Sequence, residues 1–258
     1  MWLCVCFADS RKGMCSRRLT HRIVITNILV VNENPENTME KRKSRSLTTA
    51  VAASFGGLAA LLTVLPLSFP YPVIPYLKFD LAELPVVIAF LSFGPLAGGI
   101  TAIAYWLVLS LVGEFTPIGP AMKFLAVGSM LLGIWVGSKI YRGSTVAPLL
   151  LNLILLGGLI RIFITTIANY ILLAVLFPDL LEIATGMVRA ATGFTADGQL
   201  NALFIVLLFT SIFNLLHTIF SIIPSALVVM KVSARGAFHS WANQAWLVKL
   251  LYHEMRRS

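Results

Sequence analysis

Charge is what this chain has least of. Only 12% of its 258 residues are Asp, Glu, Lys or Arg, against about a quarter in ordinary soluble domains, and its mean hydropathy is +0.86. That scarcity excludes a soluble globular domain. The apolar runs are long and continuous and lack the short alternation of a β-barrel strand, so the chain reads as a helical membrane protein. Cysteine is scarce as well: the three, Cys4, Cys6 and Cys15, lie in the first fifteen residues, at spacings that fit neither a metal site nor a disulfide framework. Catalytic signatures are missing. The sequence contains no H-E-x-x-H, no G-x-S-x-G and no Walker A motif, so no catalytic residue and no ATPase activity of its own is expected. It also lacks an internal repeat, which weighs against transporter folds built from duplicated halves.

The charge that is present is unevenly placed. The formal net charge of +9 sits at the ends of apolar runs rather than on an aromatic-basic surface, which argues against nucleic acid and for membrane orientation. Residues 1–38 are of mixed polarity and hold no spanning run; they read as a non-conforming extension, with Met39-Glu-Lys-Arg-Lys-Ser-Arg45 as the basic lead-in to the first membrane helix and Met39 as the expected start. Residues 39–232 form the membrane domain and 233–258 a basic amphipathic tail carrying Trp241, Trp246 and Tyr252, expected to anchor at the interface.

Six helical segments are expected in the membrane domain, over about 47–68, 81–93, 94–112, 120–140, 146–177 and 200–232, with 178–199 a loop able to hold a short helix. The second, after the first outer loop, has about 13 residues, or some 20 Å at 1.5 Å per residue, and does not cross alone. Lys and Arg cluster before the first segment, between the fourth and fifth, and after the sixth, whereas the alternate loops hold most of the acidic residues. The positive-inside rule then puts both termini in the cytoplasm and the acidic loops, including Lys78 to Glu83, outside.

Polar residues inside these segments mark the candidate site. Tyr76-Leu-Lys-Phe-Asp-Leu-Ala-Glu-Leu-Pro85 puts Lys78, Asp80 and Glu83 at the mouth of a membrane segment, where ionisable groups are costly unless they meet water, a partner or a ligand. Arg161, Thr165 and Asn169 are four apart on one face of the fifth segment; Thr210, Asn214, His217 and Ser221 share a face of the sixth. Both stripes must face protein or a cavity rather than lipid. Interhelical hydrogen bonding accounts for the small hydroxyls; the amides with His217 point to a ligand, and Arg161 to a ligand or a structural partner. Ala52, Gly56 and Ala60, with Ala53 and Gly57 beside them, let another helix approach closely, either inside the bundle or from a separate subunit. Lys123 is expected to snorkel to the interface.

Three blocks together resemble the substrate-binding S components of energy-coupling factor (ECF) vitamin transporters, in particular the riboflavin-specific RibU group: Leu77-Lys-Phe-Asp80 through Glu83-Leu-Pro85 to Phe93-Gly-Pro-Leu-Ala-Gly98, then Arg161-Ile-Phe-Ile-Thr-Thr-Ile-Ala-Asn-Tyr170, then Phe213-Asn-Leu-Leu-His217. The resemblance implies an all-α, six-helix S-component bundle in the cell membrane that captures vitamin from outside and works with a membrane coupling subunit and two cytoplasmic ATPases. It implies that Asn169 and Asn214 bind the isoalloxazine ring, together with the residue at 217, where the family usually has lysine and this chain has histidine. It further implies that Leu77, Lys78, Phe79 and Asp80 belong to a loop closing over the ligand, with Thr165 beside it, and that Ala52, Gly56 and Ala60 dock the coupling subunit. Riboflavin would be cargo rather than a resident cofactor, and no metal is implied. An S component for another heterocyclic vitamin or precursor, and a membrane subunit that retains a flavin or quinone, are the alternatives.

Overall fold

The computed structural model describes residues 35–65, 67–113, 115–143, 145–195, 198–234 and 246–247, with the backbone alone for 35–45 and 234. The chain divides into two units, residues 1–44 and 45–258, and the second holds the bundle. Its described elements are almost all helical, as expected. The first helix, α1, covers Pro35–Val64, so the basic lead-in is itself helical. It ends before residue 68, because Pro66 disfavours helix in the residue ahead of it.

Proline then keeps the chain extended. Two three-residue strands, β1 (Ser68–Pro70) and β2 (Lys78–Asp80), pair antiparallel with Phe69 opposite Phe79. The hairpin leads into the short helix α2, Glu83–Phe93. Gly94 turns the corner with φ +95°, a conformation that disfavours any side chain, and Pro95 opens α3, Pro95–Val112. The corner is tight: a Cβ on Gly98 would stand 2.4 Å from that of Phe90. Thus Gly94-Pro-Leu-Ala-Gly98 folds α3 back along α2.

Two long helices follow, α4 over Ile118–Ile140 and α5 over Val146–Ile171, the latter continued by a wider π turn to Leu176. They meet closely at Gly133, where a Cβ would lie 2.4 Å from the Leu156 carbonyl oxygen. The loop helix is α6, Pro178–Thr192. Leu181, Ala184 and Val188 are its buried face, at the spacing of a helix lying on a core, and Gly193 closes it in the left-handed conformation. The last helix, α7, is Gln199–Ala234.

Among the described residues five helices are long and apolar enough to cross a membrane; α2 is the short sixth. Large apolar side chains such as Leu111, Phe163 and Phe204 are exposed, as a lipid-facing surface requires. Inside, among the described residues, are two large apolar clusters and a third, small one of Val51, Ala89 and Ala97. The larger joins α1 to α5 and α7 through residues such as Val86, Tyr105, Ile134, Leu153 and Ile222. The second joins the hairpin, α6 and the adjoining parts of α5 and α7 through Tyr71, Ile74, Leu173, Leu181 and Phe213. The candidate site lies where they meet.

Candidate functional site

At the centre is an ion pair with almost no access to solvent. Arg161, midway along α5, is 2% exposed, and Glu83, the first residue of α2, is 0% exposed. The guanidinium grips the carboxylate with both arms, Nη1 to Oε2 at 3.0 Å and Nη2 to Oε1 at 3.2 Å. Burying either charge alone would cost several kcal/mol, so the pair is stable only because each meets the other in this forked geometry. Ser221 Oγ, on α7, donates to the same carboxylate at 3.0 Å. Arg161 Nε donates to Asn214 Oδ1 at 3.0 Å, and its Nη2 lies 3.2 Å from His217 Nδ1. Three helices are thereby joined through one guanidinium.

Asp80, at the end of β2, forms a second charged knot. Its carboxylate is bonded to Lys123 Nζ of α4, accepts from Tyr105 Oη of α3 at 3.2 Å, and caps the Ala82 N–H at 2.7 Å. Its backbone N–H lies 3.4 Å from His217 Nε2, while that nitrogen stands 3.5 Å from Glu83 Oε2. A neutral imidazole accepts at one nitrogen only, so Arg161 and the Asp80 N–H compete for His217.

Aromatic rings close over these groups. Phe79 lies 4.9 Å from Phe213, 5.5 Å from the His217 ring and 6.2 Å from Phe220, centroid to centroid. Tyr71 stands 5.5 Å from Phe213. These spacings are those of favourable edge and tilted ring contacts. A hairpin carrying Phe79 therefore rests on a floor of Phe213, His217 and Phe220.

The structure thus gathers Phe79, Asp80, Asn214 and His217. Leu77 and Lys78 are half-buried in the hairpin, Leu77 against the second cluster. Thr165 bonds its hydroxyl to the Arg161 carbonyl at 2.7 Å, and the half-buried Asn169 gives its amide to the Thr165 carbonyl at 2.8 Å. Asn169 lies two turns, about 12 Å, along α5 from Arg161, towards the hairpin and α6.

Several expectations are corrected. Glu83, expected at an ionisable rim with Lys78 and Asp80, is fully buried against Arg161, and Lys123 turns to Asp80 rather than to the interface. Tyr105 joins the Asp80 group without having been marked as a polar partner, whereas Ser221 makes the interhelical hydrogen bond expected of the small hydroxyls. Sequence held one usable signal: Arg161 and Lys123 are cations within apolar runs, and the nearest acids along the rim are Asp80 and Glu83. On α1, Gly56 turns inward, where a Cβ would meet that of Ala104 at 3.0 Å, and Ala52 is 4% exposed. Ala60 is half-buried; Ala53 and Gly57 face out, with nothing within 4 Å of a Cβ on Gly57. Trp246 packs edge-on against Phe90 at 5.2 Å, and Leu247 is buried in the larger cluster. The three cysteines, the proposed start at Met39 with most of the extension before it, Trp241 and Tyr252 lie outside the residues whose side chains are described.

No family model matches the chain. Among characterised proteins it is similar to riboflavin transporter RibU of Staphylococcus aureus, 31% identical over 129 residues that make up 49% of this chain and 67% of that protein. It is also similar to riboflavin transporter FmnP of Bacillus subtilis, 32% identical over 111 residues, 42% of this chain and 57% of that one. Among solved structures, the S component of a bacterial ECF transporter superposes with a TM-score of 0.55 and 25% identity, covering 74% of this chain and 97% of the other.

Proposed function

The chain belongs to the family of the riboflavin transporter RibU, and from that premise we propose that it is the substrate-binding subunit of an ECF-type vitamin importer, with riboflavin or a close flavin as cargo. The observation that carries this reading is the aromatic floor beneath the hairpin, with the Asn214 amide joined to it through Arg161 and His217. Flavin is flat and mostly apolar, with two carbonyl acceptors and an imide N–H along one edge. Phe79, Phe213 and Phe220 supply flat apolar walls, and Asn214, His217 and Asn169 supply groups suited to the polar edge. Leu77, Lys78, Phe79 and Asp80 belong to the element that moves aside for entry. Thr165 fixes the turn of α5 between Arg161 and Asn169.

The chain binds and releases; it does no chemistry on its cargo. Energy comes from ATP hydrolysed by two cytoplasmic subunits through a membrane coupling subunit, since the sequence contains no phosphate-binding loop. Both termini are cytoplasmic in this reading, and the hairpin and α6 face outside. The coupling subunit docks on the outward line Ala53–Gly57 of α1, where small residues permit close helix approach. Gly57→Leu in the full chain should leave flavin binding intact and abolish co-purification with the coupling subunit. Assembly that survives the added bulk would remove this face from the interface.

Titration tests the cargo. The purified full-length protein should quench riboflavin fluorescence saturably at micromolar concentration or below. Absence of quenching, with a different heterocycle identified by mass in the purified protein, overturns the flavin assignment.

A further inference from the structure

Arg161 restricts what Asn214 is able to say to a ligand. A guanidinium carries five N–H donors and no acceptor, so the atom 3.0 Å from its Nε must be the Asn214 amide oxygen. On the other side, Asn214 Nδ2 lies 3.0 Å from the Thr210 carbonyl, which only accepts. Each neighbour has one role, and together they permit one orientation of the amide. Thr210 takes one of the two Nδ2 hydrogens, and the other is what Asn214 has to offer. The remaining lone pair on Oδ1 lies against a cation whose field opposes the approach of a further donor. The guanidinium is itself fixed, because Glu83 holds both of its arms at 3.0 and 3.2 Å, and both residues are buried.

We propose that Arg161 is a positioning residue that makes Asn214 a hydrogen-bond donor only, so that this point of the site selects a carbonyl acceptor on the ligand and rejects a donor placed there. The proposal rests on the reading that Asn214 lines the riboflavin site. The amide is a specificity element because the ion pair beneath it holds it one way round; an amide free to turn would accept either edge of a heterocycle. Glu83 acts at one remove, by keeping Arg161 in place.

The test compares riboflavin with analogues in which one ring carbonyl, at C2 or C4, is replaced by the weaker acceptor thiocarbonyl. It also records the carbonyl stretching bands of bound, isotope-labelled riboflavin. The native protein should discriminate against one thio analogue by about tenfold, the effect of weakening one buried hydrogen bond, with the corresponding carbonyl band shifted to lower frequency. Glu83→Gln combined with Arg161→Met removes both charges at similar volume, so the interior keeps no unpaired ion. It should retain the fold, lose that discrimination and lose the band shift. Asn214→Asp keeps an acceptor for Arg161 but has no donor, and should bind riboflavin about tenfold or more weakly while the protein stays folded. The proposal is overturned if the double variant keeps the native discrimination and band position, or if the Asp variant binds riboflavin as tightly as the native chain. Should the double variant fail to fold, the Asp variant decides alone. Native affinity in Asn214→Leu would instead overturn the reading that Asn214 lines the site.

Discussion

Two carboxylates three positions apart, Asp80 and Glu83, each hold a cation on another helix, yet their surroundings differ. Glu83 and Arg161 are shut away together, and neither has water to fall back on. Asp80 is also buried, but the Lys123 side chain bonded to it retains 26% exposure. Breaking the first pair strands a charge in the interior, whereas breaking the second returns an ammonium to solvent. The inner pair is therefore the costlier of the two to break, and the outer pair the cheaper. If the hairpin moves aside for cargo, as proposed above, the boundary between the fixed and the moving part falls between residues 80 and 83, where the hairpin ends and α2 begins.

The comparison can be broken at its stronger side first. Glu83→Ala leaves Arg161 buried without its counterion and should destabilise the protein by about 3–5 kcal/mol, seen as a large fall in the thermal unfolding midpoint in detergent. A loss no greater than that of an outer-pair variant would show that the two sites are equally wet. Asp80→Asn should cost much less stability, about 1 kcal/mol or under for a partly exposed pair. Its effect should appear in kinetics: riboflavin should dissociate several-fold faster in stopped-flow, because the hairpin has lost its fastening to α3 and α4. An unchanged dissociation rate would place the moving boundary elsewhere. The smallest effect is that of salt. Raising ionic strength from about 0.05 to 0.5 M shortens the screening length and should modestly speed dissociation from the native protein. The unfolding midpoint and the Asp80→Asn variant should respond little.

Much of the frame was legible because it is written locally. Apolar run lengths, the Gly94-Pro95 break and the basic clusters marked the helices to within a few residues except at the start of α1, which begins at Pro35 rather than near 47, and the loop helix fell inside the segment left open for it. The hairpin was not legible: strands of three residues are shorter than one full cycle of any reliable alternation, and proline-rich segments default to loop. The identities of Asn214, His217, Phe79 and Asp80 as one group came from the resemblance and from face-sharing on single helices. Their wiring did not, since Arg161 and Glu83 are 78 positions apart in sequence and no periodicity reports such a contact. The partner of Glu83 was hidden for a related reason: an ionisable residue beside a polar loop can meet water, a partner or a ligand, and nothing local chooses among them. Gly56 and Gly57 show the limit of the same method: a small-residue spacing finds a face of α1 but not what lies opposite it.

The shortness of α2 has one more consequence. Eleven residues amount to about 16 Å of helix, roughly half of a 30 Å hydrocarbon layer, and Glu83 begins that helix level with the middle of α5, where Arg161 stands. One column of the bundle is thus helix along half its length and hairpin along the rest. The backbone that fills the remainder must be sheltered by protein at that depth. Extending α2 by a single turn would consume about 5 Å of that column, so the length of this one helix decides how much of the column is left to the hairpin.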